Sequence, residues 1–203
     1  MEQKKKTAIT KNKILTAAES EFAEKGFAAA RIESIAKNSG VNKQMIYAHF
    51  NSKESLYTTV LENAYNRLNE YEETLKGYEF NGMQTIYDVI LKYFEFLMKD
   101  QAYVRLVLWE NLNYAACIGN IHTTLFSGIE ELIKKGIEKG EVRADIDITQ
   151  TAMSFNMFCF SAFSNMHTVS KLLGKDLSTE AELKKRAEHI VDVMTKYIMY
   201  PKA

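Results

Sequence analysis

Proline occurs once in the 203 residues, at Pro201, third from the end. Proline removes a backbone donor and clashes with the preceding helical turn, so nothing upstream of Pro201 is forced to break. That favours long helices over a turn-rich β fold. An apolar content of 46% with 26% charged residues excludes a disordered chain. The length suits one domain, or one small and one medium domain.

Helical periodicity runs through the whole sequence. Ile14, Leu15, Ala18, Phe22 and Ala23 recur at helical spacing. The spacing predicts a first helix from near Thr10, stopped by Gly26. Ile32, Ile35 and Ala36 mark a short second helix that stops at Asn38-Ser39-Gly40. Asn42 is a good cap for a third helix, reaching about Ala48. Asn51-Ser52 caps a fourth, with Glu54 in capping-box spacing, and that helix reaches about Leu75. Beyond Gly77, apolar stripes predict helices over Met83 to Lys99, Gln101 to about Tyr114 and Ile118 to Lys139. Gly140 to Asp145 is a loop. Asp147 with Gln150 caps an eighth helix, to about Leu173, and Thr179 with Glu182 a ninth, to about Tyr200. The expected class is all-α, with about nine helices, no long repeat and no low-complexity tract.

The eighth helix carries Met153, Phe155, Met157, Phe158, Phe160 and Phe163 in nearly every direction, so burial almost all round is expected. One of its faces would meet a second copy. The ninth helix supports this with Ile190, Val191, Met194 and Ile198 on one stripe. A homodimer through the eighth and ninth helices is expected.

Cys117 and Cys159 stand alone and read as buried apolar side chains in a reducing compartment. The start, MEQKKKT, lacks the apolar stretch of a secretion signal. The run from Met153 to Phe163 is too short to span a bilayer. A soluble, cytoplasmic protein that meets no membrane is expected. His122 and His167 have no partner at metal-ligand spacing, and no Cys-x-x-Cys exists, so no metal or other cofactor is expected. No Gly-x-Ser-x-Gly, phosphate loop or organised Cys/His pair suggests an enzyme.

Equal numbers of basic and acidic residues, 26 each, conceal an uneven distribution. Residues 1–60 hold ten basic and six acidic side chains, and the rest of the chain is acidic by four. A basic end suits phosphate contact. Chance also produces such a difference in a chain of this size, so charge alone decides nothing. The Lys4-Lys5-Lys6 run reads as a disordered arm that can add backbone affinity.

The second helix, the Gly40 turn and the third helix make a helix-turn-helix, motif 31–50. Ile46 and Phe50 point into a small core with Ile14, Ala18, Phe22, Ile32 and Ile35. The outer face then carries Asn42, Lys43, Gln44, Met45, Tyr47, Ala48 and His49. Lys43, Tyr47 and His49 can donate to phosphate oxygens, Gln44 can pair with a base edge, and Met45 can touch a thymine methyl.

Residues 14–57 resemble the TetR family of one-component transcriptional repressors. The matching pattern is an Ile-Leu-x-Ala-Ala start, Phe-Ala-x-x-Gly-Phe, Ile-Ala-x-x-x-Gly-Val, Lys-x-x-Ile-Tyr-x-His-Phe and Ser-Lys-Glu-x-Leu. The resemblance implies that Lys43, Tyr47, His49 and Lys53 hold the DNA backbone while Asn42, Gln44 and Met45 sit in the major groove. It implies a DNA-binding domain over 8–68 and a ligand-binding and dimerisation domain over 69–203. The family places Thr or Ser where this chain has Ala30-Arg31, which removes a cap worth about 1 kcal/mol. Arg31 can offer a longer-reaching phosphate contact instead. The loop from Gly140 to Asp145 also matches the family. Ser164-Asn165-Met166-His167-Thr168, with Gly174-Lys175-Asp176-Leu177, looks like a subgroup that includes sensors of pyrimidines and other small ring compounds.

The expected function is a repressor released from a near-palindromic double-stranded operator by a small molecule. The alternative is a helical binding protein or enzyme without a DNA role. Trp109 and Asn113, four apart on one helix face, can offer a stacking plane and a hydrogen bond inside a pocket. A lone Trp in a helical body is more often core. Tyr65, Phe94, Asn156, Phe158 and Cys159 complete the candidate ligand set.

Overall fold

The computed structural model describes residues 2–199 except 114, 118, 120, 122 and 125, with side chains from residue 6 onward. The expectations that fall on Tyr114, Ile118, His122, Leu125, Tyr200 and Pro201, and on the side chains of Lys4 and Lys5, lie outside the described residues. The described residues form ten helices: α1 (Glu2–Ala29), α2 (Ile32–Ser39), α3 (Lys43–Phe50), α4 (Lys53–Leu75), α5 (Met83–Lys99), α6 (Gln101–Leu112), α7 (Ser127–Glu138), α8 (Ile148–Ser164), α9 (Met166–Leu173) and α10 (Glu180–Ile198). Among them no strand occurs; an isolated antiparallel bridge joins Val142 to Met199. No helix among them is long and apolar enough to cross a membrane.

Several boundaries differ from the sequence expectation. α1 begins at Glu2 and takes in the Lys4-Lys5-Lys6 segment, whose backbone is helical instead of forming a disordered arm. Glu, Gln, Lys and Ala all favour helix, and Thr10 does not cap: its hydroxyl donates back to the Lys6 carbonyl at 3.0 Å. Of the predicted helix from Ile118, the described residues are helical only from Ser127, which Phe126 at φ 72° immediately precedes. The predicted eighth helix is two helices, divided at Asn165 (φ −107°, ψ 2°). The Asn165 amide bonds the Ser161 carbonyl and its own carbonyl accepts from Val169, so one residue closes α8 and opens α9. Ser52, not Asn51, caps α4, accepting from the Ser55 N–H at 3.1 Å. Thr179 makes no capping bond, since its hydroxyl turns to the Asp176 carbonyl. The Asp147 cap forms as expected, accepting from the Gln150 N–H at 2.9 Å.

The chain divides into two compact units, residues 1–67 with 102–122, and residues 68–101 with 123–203. The first unit thus takes in α6, which the sequence division at 68 and 69 places in the other domain. In it, Ile14, Ala18, Phe22, Ile32, Ile35, Ile46 and Phe50 are all buried, as the periodicity predicts. Gly26 interrupts α1 at φ 71°, and a Cβ there would lie 2.7 Å from the Trp109 ring. The Trp109 indole donates to the Ala23 carbonyl at 3.3 Å. Buried Glu110 accepts from the Tyr57 hydroxyl at 2.6 Å and from the Cys117 N–H at 3.1 Å. Burial, with the Glu110 carboxylate beside it, pushes the Tyr57 phenol well above its usual range.

In the second unit α5 packs on α10 and α8, and α7 packs on α8. Tyr71, Tyr93 and Phe96 stack, and Phe94 meets Phe163 edge-on at 5.1 Å. The stripe Ile190, Val191, Met194 and Ile198 is buried inside this unit. This stripe, which the sequence reading took as support for contact with a second copy, packs within its own unit. α8 is likewise not covered all round: Met157 and Phe158 are exposed. Cys117 and Cys159 are free thiols, the first half-buried and the second buried.

Candidate nucleic-acid interface

The turn between α2 and α3 is set by local chemistry. Gly40 adopts φ 68° and ψ 21°, and the Gly40 and Val41 N–H groups close α2 onto the Lys37 and Ala36 carbonyls. Two residues later the Asn42 side chain accepts from the Met45 N–H at 2.9 Å and starts α3. With Ile46 and Phe50 buried, the helical repeat turns Lys43, Gln44, Tyr47 and Ala48 outward. Met45 is 41% exposed and Tyr47 44%, which places both side chains on the same open face as Lys43 and Gln44.

The remaining predicted contacts lie around this helix in different states. Asn42 is exposed, but its carbonyl oxygen is committed to the cap, leaving the amide group for outside contact. Lys43 is paired across the turn with Glu33 of α2, both well exposed. The Lys43 ammonium holds the Glu33 carboxyl below the usual range. His49 is half-buried, its ring tilted 6.2 Å from that of Phe50. Lys53 lies 4.7 Å above the Phe27 ring with Nζ 3.5 Å from the Ala28 carbonyl, so it is folded onto the head. Arg31 is exposed at the start of α2 and makes no side-chain cap, as the sequence implied.

Glu21 anchors the start of α2 in another way. Buried in α1, it accepts from the Arg31 N–H at 3.1 Å and pairs with Lys25 at 3.0 Å. Burial pushes the Glu21 carboxyl up, but Lys25 and the Arg31 N–H outweigh it and hold it below the usual range. A carboxylate at the start of α2 also meets the positive end of that helix. Sequence reasoning missed both Glu21 and Glu33, whose partners lie ten residues away across turns.

The seven candidate ligand residues are divided between the two units. Tyr65, Trp109 and Asn113 belong to the first unit, and Phe94, Asn156, Phe158 and Cys159 to the second. Tyr65 is buried edge-on to Tyr103, and burial pushes its phenol up to about 12. Trp109 packs on Gly26, and the exposed Asn113 amide bonds the Trp109 carbonyl at 2.7 Å. The Asn156 amide donates to the Tyr93 hydroxyl at 2.8 Å. Phe94 and Cys159 are buried, Phe158 is exposed, and burial pushes the Cys159 thiol up. A cleft of about 500 Å³ in the second unit lies instead among the end of α8, α9 and α10.

Two short helices joined by a glycine turn, with the polar face of the second left open, define a helix-turn-helix DNA-binding transcriptional regulator. Residues 14–60 match the bacterial regulatory proteins of the tetR family, and residues 83–194 match the tetracyclin repressor-like C-terminal domain. The chain belongs to the TetR family. It is 30% identical over 175 residues to the HTH-type transcriptional repressor NicS of Pseudomonas putida, a match covering 83% of this chain and 82% of NicS. It is 27% identical over 147 residues to the HTH-type transcriptional regulator UidR of Escherichia coli, covering 70% and 74% of the two chains. Its fold is similar to that of the fatty acid degradation regulator FadR from Bacillus halodurans, with a TM-score of 0.73 at 19% identity over 91% of this chain and 94% of that one. A transcriptional regulator from Streptomyces coelicolor matches at a TM-score of 0.72 and 21% identity, over 95% and 99%.

Proposed function

We propose that this regulator is a repressor that holds a near-palindromic operator as a homodimer and leaves it when a small molecule binds. The observation that carries the DNA part is the open face of α3, where Lys43, Gln44, Met45 and Tyr47 are exposed above buried Ile46 and Phe50. Lys43, Tyr47, His49, Lys53 and Arg31 hold phosphates, and Asn42, Gln44 and Met45 meet base edges. Glu33 must give up or share Lys43 as the backbone is engaged. The protein works in the cytoplasm and carries out no catalysis of its own.

The homodimer forms through α8 with α9 and α10, the eighth and ninth helices of the sequence reading. Exposed Met157 and Phe158 on α8 and Leu172 and Leu173 on α9 support this. Such a dimer sets two recognition helices about one DNA turn apart. The effector, a small ring compound, binds the 69–203 domain and favours a head spacing that no longer fits successive major grooves. It shifts that balance only by the difference in its affinity for the two states. Electrophoretic mobility shift with genomic fragments and competitor DNA tests the DNA reading. Retarded fragments sharing a near-palindrome are expected, and uniform retardation of all fragments would contradict it.

A further inference from the structure

The basic excess of the first sixty residues does not sit in the helix-turn-helix. Residues 14–60, the stretch that matches the tetR regulatory proteins, hold five basic and five acidic side chains. Residues 2–13 hold Lys4, Lys5, Lys6, Lys11 and Lys13 against Glu2 alone. They form the start of α1, which is helical from Glu2 although its first buried side chain is Ile14. From Lys6 to Lys13 every side chain is exposed except half-buried Thr10. This segment therefore contributes nothing to the core, yet it lies beside both helices of the motif. Lys11 Nζ stands 5.7 Å from the centre of the Phe50 ring, at the end of α3. Lys13 lines a groove with Asn38 and Ser39, at the end of α2. Among the described residues, neither lysine meets a carboxylate.

We propose that the start of α1, residues 2–13, is a second DNA-contacting element that holds the phosphate backbone beside the helix-turn-helix. His49, the neighbour of Phe50, is one of the phosphate contacts assigned above, and Lys11 continues that row past the end of α3. Lys13 places a second cation at the end of α2. A motif whose own charges cancel attracts a polyanion weakly, whereas five lysines on one projecting segment draw the duplex in and release counterions when it binds. Lysine is a compact charge on a flexible stem, so these contacts carry affinity and no base reading. The labour is divided: α3 reads the bases and the start of α1 holds the backbone. This inference rests on the reading of α3 as the DNA-facing helix.

Fluorescence anisotropy of the full chain tests it, on an unrelated duplex and on a genomic fragment retained in the mobility shift, each over a series of salt concentrations. Lys11→Gln combined with Lys13→Gln is expected to lower the salt slope by about 1.8. Both duplexes should weaken by the same factor, roughly tenfold or more at about 0.1 M salt. Lys11→Arg with Lys13→Arg is expected to keep the wild-type slope. Lys99→Gln with Lys134→Gln removes the same charge from exposed positions of the second unit and is expected to leave the slope unchanged. Far-UV circular dichroism establishes that each variant is folded. An unchanged slope in the Lys11 and Lys13 variant overturns the proposal. So does an equal drop in the Lys99 and Lys134 variant, which would make net charge the cause, or a loss confined to the retained fragment. A wild-type chain that binds neither duplex defeats the repressor reading and this inference together, whereas wild-type binding with an unchanged slope in the variant defeats this inference alone.

Discussion

Glu33 places a negative charge on the surface that α3 offers to a polyanion, and its pairing with Lys43 gives that charge a purpose. The pair restrains Lys43 in free protein and lowers the gain when a phosphate takes it over. Glu33→Gln is therefore expected to strengthen binding to operator and to unrelated DNA alike, by about threefold to tenfold at moderate salt. Lys43→Ala is expected to weaken all sequences and reduce the salt slope by about one. Gln44→Ala should instead relax preference at one base pair. Fluorescence anisotropy on operator and scrambled duplexes, at several salt concentrations, separates the three. Even loss across sequences for both Lys43→Ala and Gln44→Ala would mean that α3 is wrongly oriented. The Asn42 cap and the burial of Ile46 and Phe50 were legible because they follow local spacing. The Glu21 contact with the Arg31 N–H and the Glu33–Lys43 pair were not, because each partner lies across a turn whose geometry periodicity does not describe.

Among the helices, Gly26 and Glu72 are two exacting positions. Gly26 has φ 71° and the Trp109 ring where a Cβ would stand, so Gly26→Ala combines backbone strain with a clash. A loss of about 2–4 kcal/mol is expected in urea denaturation followed by Trp109 fluorescence. Glu72 in α4 is buried, with one oxygen accepting from the Gly128 N–H at 2.9 Å and the other without a partner. Burial pushes its carboxyl up to about 7. The folded chain thus holds this proton more tightly than the unfolded chain, whose carboxyl has an ordinary value. Stability from this group is fully present below the ordinary carboxylate range and is lost as pH rises to about 7. The melting temperature of wild type should fall through that window, and Glu72→Gln should flatten the fall by several degrees. Helix existence was readable from apolar spacing throughout. The break at Asn165 was not, because the apolar stripe continues across it and only the backbone angles interrupt it.

At the scale of the molecule, the even charge total hides a basic end that carries the DNA-facing helix and a remainder that is acidic by four. That division was legible once the chain was cut at residue 60, and the helix-turn-helix settles its meaning. The dimer face was only half legible. An apolar stripe cannot reveal whether it meets its own chain or a second one, and Ile190, Val191, Met194 and Ile198 meet their own. The exposed Met157 and Phe158 on α8 are the better candidates. Met157→Glu is expected to convert the dimer to a monomer with unchanged circular dichroism, read by light scattering coupled to size exclusion. An unchanged dimer would move the interface elsewhere. Trp109 and Asn113 share a helix face, as their spacing implies; Gly26 lies beneath the Trp109 ring and the Asn113 amide turns back to its own helix, neither of which periodicity describes.

The central claim is that two copies of α3 read two halves of one DNA site. Selection of genomic fragments by the full chain, followed by footprinting of the retained DNA, tests it most directly. The account predicts a protected near-palindrome whose half-sites are centred about one helical turn apart, with binding lost when half a turn is inserted between them. Protection of a single half-site, or binding indifferent to that insertion, would contradict it.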